Sequence, residues 1–254
     1  SPSRGLGDVY KRQMVVSSLY NIVDQIFIGQ GVGYLGNAAT NVAFPLTTIC
    51  LAITLLISIG SASRFSLSLG EGDADRAAQA VGNALSMMVL FGILYTLCIE
   101  IFLVPLLNAF GATQDVLPYA IEYTRITAVG MPLLIITNGM SNLARADGSP
   151  NYSMMCMLIG AIINTILDPL FIFKFHMGVR GAAFATVIGQ FFSFLMALYY
   201  VKKFTHIRLK KQHFILKPQV CLNIASLGMS NCLNQVAITF VQIVMNNSMT
   251  YYGA

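Results

Sequence analysis

The sequence predicts an all-α membrane protein, a polytopic helical bundle, on three observations. Apolar residues make up 56% of its 254 residues and charged ones only 10%, with a mean hydropathy of +0.69; soluble domains are about a quarter charged. The apolar residues come in runs long enough to cross a bilayer, which takes about 20 helical residues, and Gly148 to Leu167 is one such run without a charge. The basic residues gather in connections between runs instead of patterning a surface. The net charge of +5 therefore gives no reason to expect nucleic acid, and the partner implied is membrane lipid.

Residues 1–13 are polar, lack an initiator Met and give way abruptly to apolar sequence at Met14. They read as a non-native leader and are set aside from fold reasoning. Seven apolar segments follow, at about 14–29, 42–69, 78–106, 117–144, 152–173 and 181–201, and from about 219 to the end. The first six form one unit, 14–201; a basic connection, 202–218, joins it to a seventh helix, 219–254. That connection holds Lys202, Lys203, Arg208, Lys210, Lys211 and Lys217, and the connections at 70–76 and 144–151 add Arg76 and Arg145. On the other side, 30–41 is uncharged, 107–118 carries only Asp115, and 174–180 only Lys174 and Arg180. Basic residues favour the cytoplasmic side, so the N-terminus is expected there. Gln242-Ile243 and Tyr251-x-Gly253 echo Gln25-Ile26 and Tyr34-x-Gly36 at a constant offset, as at the start of a second internal repeat. Cys50, Cys98, Cys156, Cys221 and Cys232 have no metal-ligand or disulfide-framework spacing and read as small core residues. His176, His206 and His213 sit beside basic residues in connections and are expected to be solvated.

Ionisable groups inside the apolar runs mark the candidate site, because a charge at mid-membrane costs roughly 2.5–3.5 kcal/mol. In the first segment Ser17, Tyr20, Asn21 and Asp24 form one polar stripe at i, i+3, i+4, i+7, which must face a bundle interior or an aqueous cavity. In the fifth, Asn164 and Asp168 lie one turn apart on one face, with Pro169 next. A carboxylate at a helix end reaching into the headgroups is the plainer reading of Asp168. Thr186, Gln190 and Ser193 share a face of the sixth segment after the small run Gly181-Ala-Ala-x-Ala185; taken alone, Thr186 reads as packing. Asn138, Asn142 and Arg145 lie along one side of the fourth segment, as a cavity lining or a helix cap. Gly31-x-Gly33-x-x-Gly36 has dinucleotide-fingerprint spacing but joins two spans, and no acid follows until Glu71. Gly70-x-Gly72-Asp73 opens a polar run rather than lying within a span, so Asp73 and Asp75 are expected to be solvated helix caps.

Four stretches then resemble motifs of the MATE (multidrug and toxic compound extrusion) transporters: Asn21-Ile-Val-Asp24-Gln-Ile-Phe-Ile-Gly29, Arg145-Ala-Asp-Gly148, Ile163-Asn164-x-x-Leu167-Asp168-Pro169-Leu170-Phe171-Ile172 and Gly181-Ala-Ala-x-Ala185-Thr186. The resemblance covers about 14–254 and is nearest the bacterial multidrug branch. It implies a twelve-helix fold of two six-helix lobes around a cavity. This chain would be the N-lobe plus a truncated first helix of the C-lobe, with the missing lobe required for function. It also implies a cation site, for H⁺ or Na⁺, at Asp24, Asn164, Asp168 and Thr186, which raises Thr186 above its packing reading. Tyr20, Asn21, Asn138, Asn142 and Gln190 are candidates to line the cavity. Where the family's first helix often begins with a bend-forming proline, this chain has the leader instead.

The implied protein is not an enzyme and needs no cofactor beyond the coupling ion. It is a multi-pass protein of the bacterial plasma membrane that exports organic cations or drugs in exchange for Na⁺ or H⁺ by alternating access. A lipid-linked oligosaccharide flippase of the same superfamily is the alternative, but it would line its cavity with basic residues. An intramembrane hydrolase would need two water-accessible acids, and no supporting signature exists. A structural subunit would give no reason for two buried acids.

Overall fold

The computed structural model describes residues 2–253, apart from the side chains of residues 2–6 and 10. Ser1 and Ala254, the outer ends of the expected leader and of the expected last helix, lie outside the described residues. The helices are α1 (Pro2–Gly31), α2 (Tyr34–Gly70), α3 (Ala74–Ile101), α4 (Leu103–Ala109), α5 (Leu117–Ala146), α6 (Pro150–Pro169), α7 (Val179–Tyr199) and α8 (Pro218–Tyr252), with no strand among the described residues. A π-helical turn, Leu170–Lys174, extends α6, and a 3₁₀ turn, Tyr200–Lys202, extends α7. Six helices are long and apolar enough to cross a membrane: α2, α3, α5, α6 and α7 with their extensions, and α8.

Several boundaries differ from the sequence expectation. The first helix runs unbroken through residues 13 and 14 from Pro2, its polar start continuing the same helix. The stretch 30–41 is mostly helix, because Gly33, at φ +91°, reverses the chain in a two-residue turn. The third segment breaks at Phe102, since Pro105 cannot continue a helix interior and instead sits in the first turn of α4. Asp73 caps α3 as expected, its Oδ1 accepting from the Arg76 N–H at 3.0 Å.

Helix α2 is the spine, with α8, α5 and α3 packed around it; α6 and α7 pair on α5, and α1 lies against α6. Small residues allow these approaches. A Cβ on Gly60 would overlap the Ile224 carbonyl, and one on Gly228 the Leu56 carbonyl, so α2 and α8 meet backbone to backbone. The buried hydroxyls of Thr48 and Thr239 bond across the same seam at 2.8 Å. Gly160 and Gly189 bring α6 and α7 together in the same way.

Pro45, Pro132 and Pro169 interrupt spans, and each leaves a carbonyl four residues earlier without its helical donor. Pro45 frees the Asn41 carbonyl, which accepts from Asn246 Nδ2 of α8 at 3.2 Å. Pro132 frees the Ala128 carbonyl, which accepts from Thr96 Oγ1 of α3 at 2.9 Å. In hydrocarbon such groups must be satisfied within the protein.

The connections 71–73, 147–149 and 203–217 meet at one end of the bundle. His213, expected to be solvated, is instead buried there at 4% exposure: its Nδ1 accepts from the Lys210 N–H and its Nε2–H donates to Asp75 at 2.8 Å. Asp75 is thus that histidine's partner rather than a helix cap. Of the cysteines, Cys50 and Cys156 are buried as expected and Cys98 is exposed.

Removing the donor that α3 lends to α5 tests this packing. Thr96→Val is expected to destabilise the chain in micelles by about 0.5–1.5 kcal/mol. Thr165→Val removes only a bond to the Ala161 carbonyl of its own helix and is expected to cost less than about 0.5 kcal/mol. Equal losses in thermal unfolding would deny the proline-bridging role.

Candidate cation and substrate site

Each helix around the site contributes residues spaced three, four or seven apart, so that one face of each looks inward. On α1, Gln13, Tyr20 and Asp24 face inward, whereas Val15, Leu19, Ile22 and Ile26 are exposed at 50–58% on the outer face. On α6 the inward face carries Met157, Ala161, Asn164 and Asp168; on α7 it carries Thr186, Gln190 and Ser193. On α5 it carries Tyr123, Thr127 and Asn138, and on α2 Thr40, Phe44 and Thr47. Together they enclose a cavity of about 560 Å³, to which α8 adds Gln242.

Asp24 and Asn164 line this cavity at 8% and 2% exposure, and Asp168, 1% exposed, lies behind them, bonded to Asn164. The two carboxyl groups are near neighbours, close enough to interact, and two acids so placed out of water cannot both be charged cheaply. Asp24 Oδ1 has no hydrogen-bond partner among the described residues. The Asn164 amide nitrogen donates to the Asp168 oxygens at 3.0 and 3.2 Å, and its oxygen accepts from Thr186 at 3.2 Å and from Tyr20. Two carboxyls, an amide oxygen and a hydroxyl are also the oxygen ligands that hard cations take.

The structure thus brings Asp24, Asn164, Asp168 and Thr186 together, with Tyr20, Asn21, Asn138 and Gln190 on the same cavity. Asp168 does not reach into headgroups, as its plainer reading had it. Asn142 lies off the cavity and donates to the Ser58 hydroxyl at 2.9 Å, and Arg145 donates to Ser153 at 3.2 Å. Tyr123 was missed: it lines the cavity together with Tyr20 and Thr186. Carrying the Asn138 face back by helical steps, through Leu134, Met131 and Thr127, would have found it.

The MatE family model matches residues 13–170, more than half of the chain and inclusive of Asp24, Asn164 and Asp168. The chain belongs to the MATE family. Its members are transporters, not enzymes. Among curated MATE relatives, "Probable multidrug resistance protein YoeA" of Bacillus subtilis is 23% identical over 94% of this chain and 54% of its own length. The "FAD transporter" of Shewanella oneidensis is 32% identical over 70% of this chain and 39% of its own. "Multidrug export protein MepA" of Staphylococcus aureus is 25% identical over 94% and 53%. An inward-facing multidrug resistance MATE transporter superimposes with a TM-score of 0.84 at 25% identity, covering 91% of this chain and 52% of that one. A chain named protein A does so with 0.93 at 30% identity, covering 98% and 56%. The chain spans about half the length of these curated multidrug relatives.

If the two acids touch, substitutions at them cannot add. Asp24→Asn and Asp168→Asn, combined, are expected to unfold with a coupling of at least about 0.5 kcal/mol relative to the sum of the singles. Asp24→Asn combined with Asp115→Asn, in an exposed turn, should be additive. Additivity of the first pair in thermal unfolding would separate the carboxyls.

Proposed function

We propose that the protein works in secondary antiport, exporting organic cations or drugs in exchange for H⁺ or Na⁺ by alternating access. The observation that carries this is the nearness of Asp24 and Asp168 at a cavity lined by neutral amides, hydroxyls and thioethers, with no Lys or Arg among the described lining residues. A pair of acids out of water cannot hold two bare charges cheaply. A proton or Na⁺ neutralises the pair, and its loss leaves a negative site that an organic cation can meet. Moving one charge through 100 mV is worth about 2.3 kcal/mol, which suffices to drive exchange. Met131, Met154 and Met157 on the wall are flexible and polarisable, the chemistry of surfaces that accept varied ligands.

In this reading residues 14–201 are the first lobe of the transporter, 202–218 the inter-lobe connection and 219–254 the first helix of a second lobe, which transport requires. The basic connection 202–217 faces the cytoplasm of a bacterial cell, as does the N-terminus. The multidrug names of YoeA and MepA favour drugs. The FAD transporter relative points to an anionic cargo, but a diphosphate would find no cationic side chain on this wall. The same absence argues against a flippase for phosphate-linked sugars.

In a protein of full family length, Asp168→Asn is expected to leave folding intact, since an amide closely matches a protonated acid in shape, and to lower ion-driven dye efflux at least tenfold. Asp24→Asn should do the same and Asp115→Asn should have no effect. Normal efflux from Asp168→Asn vesicles would overturn the proposal.

A further inference from the structure

The connection between α7 and α8 combines two features that soluble loops avoid together. It carries Lys202, Lys203, Arg208, Lys210, Lys211 and Lys217, all exposed, and among the described residues none of the six forms an ion pair within 4 Å. Asp75, which bonds His213, is the acid facing Lys210 and Lys217. Between Lys211 and Lys217 stand Phe214, Ile215 and Leu216, exposed at 37%, 64% and 41%.

The backbone beneath these side chains is fixed. At its start, buried Asp147 accepts from the N–H groups of Thr205 at 2.7 Å and His206 at 3.3 Å, and from His206 Nδ1 at 2.8 Å. The ring of Phe204 packs between Phe65 and Tyr200. At its end, Asn83 donates to the His213 carbonyl at 3.2 Å and accepts from the Lys217 N–H at 2.8 Å, and Ser86 donates to the Phe214 carbonyl at 2.6 Å. Gly82 lets the loop lie directly on α3, where a Cβ would overlap the His213 backbone. The apolar triplet is therefore presented without an ordering cost on binding.

Its surroundings say what it meets. Ser86 lies one turn from Leu90, on the face of α3 that continues through Ile93, Leu94 and Leu97, exposed at 45–52%. On the other side Leu222, at 71% exposure, opens α8. The triplet thus lies beside the exposed apolar surface of two spanning helices, and lysines flank it. We propose that the 210–217 segment is a docking surface for anionic lipid, in which Ile215 and its neighbours enter the acyl boundary while Lys210, Lys211 and Lys217 hold headgroup phosphates. Apolar insertion combined with clustered lysines is the physics by which peripheral segments select anionic leaflets.

The chain contains no Trp, so Ile215→Trp places a lone tryptophan, excited selectively over the tyrosines, at the centre of the triplet. In vesicles of phosphatidylcholine with a minor share of phosphatidylglycerol, acyl-brominated phosphatidylglycerol is expected to quench it at least twofold more than equally brominated phosphatidylcholine at the same mole fraction. Adding Lys210→Gln, Lys211→Gln and Lys217→Gln should abolish that preference, with circular dichroism unchanged, while Lys174→Gln at the other end of the bundle should preserve it. Absence of quenching by either lipid would show that the triplet is covered by protein or solvent, and would overturn the proposal. Equal quenching by both lipids would overturn the headgroup assignment. Loss of the preference on adding soluble glycerol phosphate would point to a free-phosphate site and also overturn it.

Discussion

A polar group placed in hydrocarbon must find its partner inside the protein, and this constraint organises the chain from its spine to its site. Asp24 and Asp168 could not be tolerated singly at 8% and 1% exposure; the fold places them beside one another, with Asn164 bonded to Asp168, Thr186 and Tyr20. The same rule works on the backbone. Each carbonyl freed by Pro45 and Pro132 is met by a side chain from a neighbouring helix, Asn246 and Thr96. The bonds that complete the polar inventory of one helix thus also join it to the next.

At the bundle's end the constraint changes sign, because water and headgroups can satisfy charges. The six basic residues between α7 and α8 stay outside, but the backbone that carries them is tied to Asp147, Asn83 and Ser86. Through this connection α8, which runs the length of α2, is registered at both ends: at Asn83 through Lys217, and at the Gly111 carbonyl through Thr250. Helix α8 is thus packed firmly along α2.

Six of the seven expected spans were legible because run length sets them, whereas α1 is not among the helices apolar enough to cross a membrane. The polar residues on the cavity were legible from their helical spacing in apolar runs, and the family resemblance is what joins them into a candidate cation site. Asp24, Asn164 and Asp168 needed no tertiary information, since lipid exposure was too costly for them. Thr186 was not legible from spacing alone, as a hydroxyl can bond its own helix, and indeed it also donates to the Ala182 carbonyl at 2.9 Å. Tyr123 escaped because a tyrosine near a helix end fits an interfacial belt equally well. His213 escaped because the polarity of a loop does not say which residue turns in. Helix starts were the least readable: uncharged polar residues such as Asn37 and Asn41 suit a loop or a cavity-facing helix equally.

The central claim is that Asp24 and Asp168 bind one cation as a unit, and titration followed by infrared spectroscopy of the carboxyl stretch tests it most directly. In the wild-type chain the first proton is held between both groups, so the pair should titrate in two well-separated steps that belong to neither residue alone. Asp24→Asn or Asp168→Asn should each reduce the pattern to a single step, with the remaining acid shifted from both wild-type positions. Two independent steps in the wild type, one of them unchanged in each single variant, would contradict the account.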